Sequence, residues 1–273
     1  SEEPIILVGR DLERFEFWVD NLLSESKTAM QSLHDNATES RAVYDLFNKE
    51  ALYENAPDLT LPITLNRVDG VSAHMRDAIE QIPLVTFTPE GVGTSADTAR
   101  DLAPTCEQIM ENQINQSGSR QDIAGYSPME SAKVGTAIIE LSQSIHPSGK
   151  TYIQSKLINL EDFFTDNPHT NDFTDNFVAY RFQERYHRLR EQANESILDS
   201  KTVERIKGGI DYEPLEGQGE QTTQSGVMTD LRIHTLYKGW VRFTPESEQF
   251  PRLYQFIYSK NHRKMLSVRL NPI

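Results

Sequence analysis

Apolar residues recur at three- and four-residue spacing near the start of the chain, at Leu12, Phe15, Val19, Leu22, Ala29, Met30 and Leu33. That period predicts a helix from Asp11 to Leu33 with one apolar stripe, widened by Phe17 and Trp18. At ~1.5 Å per residue it is ~33 Å long. A second helical run, Thr38 to Tyr53, is expected after a short break. A third puts Val68, Val71, Met75, Ala78, Ile79 and Ile82 on one face, and Pro83 stops it because the residue before a proline is pushed out of the helical region. Leu84 to Thr88 reads as a short strand closed by Pro89-Glu90-Gly91. Ala96 to Gln116 reads as a helix with Ala99, Leu102, Cys106, Ile109, Met110 and Ile114 inward and a kink at Pro104.

The second half is richer in β pattern. Ser127-Pro128-Met129-Glu130 predicts a helix start, with serine as cap, proline in the first turn and Glu130 completing a capping box. Gly135 ends that helix. Thr136 to Ile145 and Thr151 to Leu160 flank a five-residue Pro/Gly turn and make a hairpin. Phe177 to Phe182 is a strand leading into a helix with Tyr186, Leu189, Ala193 and Ile197 inward. A short helix ends at Gly208-Gly209. Residues 208–227 hold five glycines and read as a mobile loop. Leu231 to Phe243, Leu253 to Tyr258 and Met265 to Leu270 are the closing strands. The class is therefore α+β, several helices with antiparallel β-hairpins. A helical segment covers 1–60 and one α+β domain covers 61–273.

Charge sharpens the picture. The 273 residues carry a formal charge of −14, which disfavours tight binding to nucleic acid across the whole surface. The balance is uneven: residues 228–273 hold 3 acids and 8 bases, a net of +5. There the aromatics Tyr237, Trp240, Phe243, Tyr254, Phe256 and Tyr258 alternate with Lys238, Arg242, Arg252, Lys260, Arg263 and Lys264. Such interleaving suits stacking on single strands, but it is also the ordinary two-faced pattern of a hairpin sheet, and that reading is preferred. The single cysteine, Cys106, allows no intramolecular disulfide and no cysteine zinc site. Its place on an apolar helix face predicts a buried thiol. The longest apolar run, Ile5 to Val8, is far short of the ~20 residues of a membrane span. Ser1-Glu2-Glu3 is acidic where a secretory leader is basic. A protein made in a reducing compartment is expected.

Catalytic motifs are few. No Gly-rich phosphate loop of the GxxxxGK type occurs, and Gly91-Val92-Gly93 is a turn signal by itself. No GxSxG elbow and no HExxH are present. The densest candidate is Glu161, Asp162, Asp166, Asn167, His169, Asn171, Asp172 and Asp175. Carboxylates with a histidine suit a hard or transition cation, and a metal-dependent hydrolase or nuclease using Asp162 to Asp175 is the alternative reading. The spacing departs from an EF-hand, however, and Phe163, Phe164 and Phe173 interleave the acids as in a loop pinned to a core. No catalytic, cofactor or metal residue is therefore assigned, and the chain is expected not to be an enzyme.

The order of segments carries a resemblance. LPITLNRVDGVSAHMRDAIEQIPLVTFTPEG resembles the signature of tailed-phage portal proteins, the head-to-tail connectors, in which a helix precedes a proline, a short strand and a second proline, here Pro83, Phe87 and Pro89. SADTARDLAPTCEQIMENQI matches the helix that follows, and MESAKVGTAIIEL the short helix, glycine and strand after it. LINLEDFFTDNPHTNDFTDNFVAYRFQERYHRLREQA is similar to the family's Pro-Glu-Asp-Phe loop, Asp-Pro turn, strand and helix, with Asn159-Leu160-Glu161-Asp162 where a proline often precedes the acids and Asn167 standing between Asp166 and Pro168. Leu270-Asn271-Pro272 resembles the ending before the family's next domain. The resemblance spans residues 40–273 and implies the wing-like portion of a ring subunit, without stem, clip or crown, in a native chain that continues beyond Ile273. It further implies a ring of twelve copies around a channel for packaging and ejecting double-stranded DNA. The ring would sit at a virion capsid vertex after synthesis in the host cytoplasm. Its partners would be the major capsid protein, the terminase motor and tail or neck adaptor proteins, and it would need no cofactor.

Overall fold

A computed structural model of the chain describes residues 3–45, 63–80, 85–89, 94–145, 151–170, 172–206 and 232–271. Its helices are α1 (Arg10–Tyr44), α2 (Ile63–Glu80), α3 (Thr94–Gln116), α4 (Ser127–Val134), α5 (Tyr186–Asn194) and α6 (Ser200–Ile206). A π-helical turn, Gln121–Tyr126, precedes α4. The strands are β1 (Ile138–Ile145), β2 (Thr151–Ile158), β3 (Phe163–Thr165), β4 (Val178–Arg185), β5 (Ile233–Phe243), β6 (Arg252–Ser259) and β7 (Lys264–Leu270). The fold is α+β, with a two-stranded sheet β1-β2 and a five-stranded antiparallel sheet β3-β4-β5-β6-β7. The chain divides into two units, Ser1–Leu33 with Glu161–Ile273, and His34–Leu160. The boundary near residue 60, the Gly91-Val92-Gly93 turn and the glycine-rich 208–227 segment lie outside the described residues.

In the first unit, the five-stranded sheet and the N-terminal part of α1 share one core. Phe15, Val19 and Leu23 pack with Phe164, Phe177, Tyr237, Val241, Tyr254, Phe256 and Val268, while Leu12 and Leu22 sit at its margin. The buried stripe therefore runs through Leu23 rather than Leu22. Phe17 is 71 % exposed and does not widen it. Phe256 is the hub of this core. It stacks on Phe177 at 6.0 Å, receives the edge of Phe15 at 6.1 Å, and lies opposite Gly239 in the β5–β6 register. A Cβ on Gly239 would meet the Val178 carbonyl oxygen at 2.5 Å, Phe256 Cζ at 2.6 Å and Ala179 Cβ at 2.8 Å. Only glycine fits beneath that ring.

Polar side chains of α1 anchor it to the sheet. Glu16 accepts from the Met265 amide at 3.0 Å and pairs with Lys264 at 2.8 Å. The Tyr258 hydroxyl donates to Asp20 at 3.1 Å. Burial, and then the Asp20 charge, push the Tyr258 phenol far above its ordinary pKa, so it remains a donor. The outer edge of β7 is closed by the N-terminal segment: Val268 donates to the Pro4 carbonyl at 2.8 Å and Ile6 donates back at 3.1 Å. On a second cluster, Tyr186 and Leu189 of α5 and Val203 and Ile206 of α6 pack with Leu198, Leu236 and Leu266. Ile197, expected inward, is 38 % exposed because α5 ends before it.

In the second unit several expectations are corrected. The break before Thr38 does not occur: α1 runs unbroken through Tyr44. Its polar hydroxyls are absorbed by the helix, as where Thr38 donates to the His34 carbonyl at 2.9 Å. Residues 85–89 form no strand. On α2, Ser72 is buried while Val71 and Met75 are 52 % and 36 % exposed, so the inward face is rotated from the predicted one. On α3, Leu102 and Ile109 are more than half exposed and Cys106 is exposed too. Ala99, Met110 and Ile114 face inward as expected, joined by Ala103. Ser127 is not a cap, because the π-turn feeds into α4 through Tyr126 in helical conformation with no side-chain cap. Glu130, expected in a capping box, is buried and pairs through both oxygens with Arg41. Gly135 ends α4 in the left-handed region at φ 86°, as expected.

Replacing Gly239 by alanine should destabilise the first unit by about 1–3 kcal/mol, the usual range for overpacking a filled core. Urea unfolding checks this, and the double variant Gly239→Ala/Phe256→Leu should recover part of the loss by vacating the space.

Candidate functional site

The acidic segment is the loop that leads into β3 and then joins β3 to β4. Its acids are spent one by one on local bonds. Asp162 pairs with Arg181 at 2.9 Å, with side chains 14 % and 8 % exposed. Asp166 Oδ1 accepts from the Phe177 amide at 3.2 Å. Asn167 Oδ1 accepts from the His169 amide at 3.3 Å, forming an Asx turn. Asp172 accepts from the Thr174 hydroxyl at 2.5 Å and the Thr174 amide at 2.9 Å. These two bonds, the hydroxyl first, hold its carboxyl below the usual carboxylate range. Asp175 pairs with Arg242 of β5 at 2.8 Å. Phe163 and Phe164 are buried in β3, and Phe173 sets its edge on Phe163 at 5.8 Å. Aromatics pin the loop, and the carboxylates face different partners. Among the described residues no group of three His, Cys, Asp or Glu is placed to hold a metal ion. Asn171 lies outside the described residues.

The basic, aromatic stretch resolves into two sheet faces. Tyr237, Phe243, Tyr254, Phe256 and Tyr258 are buried in the core. Trp240 stays half-buried, with the Lys238 ammonium 5.5 Å from its ring centre. Several bases are already engaged within the protein. Arg252 pairs with Glu248 at 2.5 Å, Lys264 with Glu16, and Arg242 with Asp175. Arg269 donates to the Ser196 and Ile197 carbonyls at 2.9 and 3.1 Å. The positive excess of this stretch is therefore partly consumed by acids elsewhere in the same unit, and the aromatics that would stack on bases are mostly inside.

The second unit carries an open cleft of about 640 Å³ between α2, the end of α3, the π-turn and α4. Its two arginines are held by carboxylates, Arg76 by Glu80 at 3.0 Å and Arg120 by Glu111 at 2.5 Å. Beside it a hydroxyl network ties the π-turn to the hairpin. The Ser119 hydroxyl donates to the Ile153 carbonyl and accepts from the Ser155 amide, and the Ser155 hydroxyl donates to Asp122 at 2.8 Å. No histidine joins this network among the described residues, and Ser119 serves the outer edge of β2.

What the sequence reading missed is the exposed apolar surface of the second unit. Ile63, Val71, Phe87, Leu102, Ile109 and Leu141 are each more than two-fifths exposed. Both apolar core clusters of the described residues lie in the first unit. The signal was present in α3, where the apolar residues are too many for one stripe. Among the described residues no helix is long and apolar enough to cross a membrane.

No protein-family model matches the chain, and no curated protein matches it.

If the Asp162–Arg181 pair fixes the acidic loop on the sheet, Arg181→Met should cost about 3–5 kcal/mol by stranding a buried carboxylate. The double variant Arg181→Met/Asp162→Leu should cost clearly less. Equal losses in chemical denaturation would remove the pair from this role.

Proposed function

We propose that the chain is the wing-like portion of a portal subunit, a non-catalytic ring component at a virion capsid vertex through which double-stranded DNA is packaged and ejected. One observation carries the reading. The second unit presents exposed apolar side chains on α2, α3 and β1 and has no core cluster among its described residues, the surface expected of a subunit that completes its packing against copies of itself. The order of elements supports it as well. The segments that resemble portal sequences fall on elements in the same order, α3, then α4 with its glycine stop and β1, then the acidic loop with β4 and α5, then the closing strands β5 to β7, while the short strand of the resemblance before Pro89 is not formed.

Electrostatics fits a conduit. A channel wall that held DNA would have to break each phosphate contact during transport. With a charge of −14 per chain, a ring repels the duplex over roughly a Debye length, ~8 Å at physiological salt. The partners of this reading are the major capsid protein, the terminase and the neck or tail adaptors, and its ring is a dodecamer. The hydrolase alternative draws no support from the acidic loop, whose carboxylates are individually engaged.

Three measurements test the proposal. Negative-stain images of the assembled protein should show closed rings. Fluorescence anisotropy with a short duplex at ~0.15 M salt should show weak, salt-sensitive binding, and a dissociation constant near ~10⁻⁸ M, typical of specific recognition, would overturn the conduit reading. Turnover of a phosphodiester that depends on added divalent metal would replace it with the hydrolase.

A further inference from the structure

The two-stranded sheet has two outer edges, and they are not alike. That of β2 is closed: Ser119 bonds the Ile153 carbonyl and the Ser155 amide. In an antiparallel ladder, residues whose backbone groups point outward sit opposite residues that also point outward. Ile153 and Ser155 face Gln143 and Leu141 in the register. The amides and carbonyls of Ile139, Leu141 and Gln143 therefore point away from β2, along the outer edge of β1, where no strand pairs with them among the described residues. This edge lacks the usual guards. β1 pairs over eight residues with no register shift, contains no lysine, arginine or proline, and leaves Leu141 64 % exposed.

The same unit holds a segment with the opposite deficiency. Val85-Thr86-Phe87-Thr88-Pro89 has strand-forming composition, and Pro89 keeps Thr88 in the extended region. It nevertheless finds no strand partner among the described residues. The Phe87 amide is taken by Glu107 at 2.9 Å. In extended backbone, the groups of Thr86 and Thr88 point the other way. Their two-residue interval matches that of Ile139 and Leu141, or of Leu141 and Gln143. Phe87 is 42 % exposed, and residues 85–89 carry no charge. Copies that each carry −14 repel at long range and must meet through neutral surfaces. Here both surfaces are neutral or nearly so, since the one charged residue of β1, Glu140, lies opposite Lys156 of its own hairpin.

We infer that Val85–Pro89 of one copy adds as a strand to the open edge of β1 in a second copy. Donor and acceptor are different surfaces of the same chain, so a contact made in one direction is heterologous and propagates to a closed ring or an open filament, whereas reciprocal exchange between two copies closes a two-fold dimer. The inference takes from the proposed function only that copies of the chain associate.

The test uses the full chain and measures self-association by sedimentation. Leu141→Lys places a charge on the open edge, and Thr86→Pro removes an outward amide. Each should weaken association about tenfold or more, the factor that 1.4 kcal/mol represents, with unchanged circular dichroism and melting. Leu141→Ile should associate like wild type. In a Cys106→Ser background, mild oxidation of a Thr86→Cys copy mixed with a Leu141→Cys or Gln143→Cys copy should give a disulfide-linked pair of unlike chains. Cross-links found only between two β1 cysteines would overturn the inference in favour of self-pairing about a two-fold axis. So would a wild-type chain that stays monomeric, or association indifferent to both substitutions. Rings that persist in both variants would sink the strand pairing and leave the portal reading standing. Filaments sensitive to both variants would do the reverse.

Discussion

The close approach of three backbones beneath the Phe256 ring is the constraint on which the first unit depends. Gly239 has no Cβ, so β4 and β6 can place Ala179 and Phe256 against it without parting the sheet. Phe256 then stands high enough to stack on Phe177 and meet the edge of Phe15. That meeting fixes where α1 crosses the sheet. The polar anchors follow from it: once Phe15 is seated, Glu16 faces the Met265 amide and Lys264, and one turn later Asp20 reaches the Tyr258 hydroxyl. The apolar contact sets the position, and the hydrogen bonds satisfy groups that burial would otherwise leave unpaired.

The second unit is held by different means. Its described residues include few buried apolar side chains, and its joints are polar: Arg41 on Glu130, Tyr44 donating to Asp69 at 2.9 Å, and the Ser119 hydroxyl between two backbone groups of β2. Lys133 adds its ammonium to the face of Tyr44 at 3.9 Å. Such contacts specify geometry well but each contributes only about 1 kcal/mol net. Leu102, Ile109 and Leu141 stay exposed and add nothing to that packing.

How much of this was legible in the sequence follows from which physical signal each element carries. Strand β6 was legible because its aromatics Tyr254, Phe256 and Tyr258 alternate at period two, and β5 and β7 from their β-branched and apolar content. The hairpin β1-β2 was legible from its Pro/Gly turn. The face of α3 was not, because Leu102, Cys106 and Ile109 form one stripe and Ala99, Ala103, Met110 and Ile114 another, and only packing selects between them. The segment before Pro89 was read as a strand from composition that is indeed strand-like; pairing, which needs a partner, is not encoded locally. The acids after Leu160 showed their density but not their partners. Arg181 is 19 residues from Asp162 in sequence, and only the β3–β4 register brings the two together. Strand β3 itself was hidden inside that acidic run, its three residues too few to show a period.

The charge along the chain and the charge in space differ. Read along the chain, the last stretch carries an excess of +5 and invites an anionic ligand. Read in three dimensions, Lys264 belongs to Glu16 and Arg242 to Asp175, acids that lie outside the stretch. Each such pair lowers the positive field that a polyanion would feel, and what remains of the chain is more uniformly acidic than its sequence blocks suggest. A surface of that kind cannot draw DNA or a second copy of itself by long-range attraction. Contact must then be made at short range, through hydrogen bonds and apolar burial, and the places that offer both together are strand edges. That acidity opposes long-range association of like-charged surfaces, and the neutral, apolar side chains least subject to it, Leu102, Ile109 and Leu141 among them, are what the second unit leaves exposed.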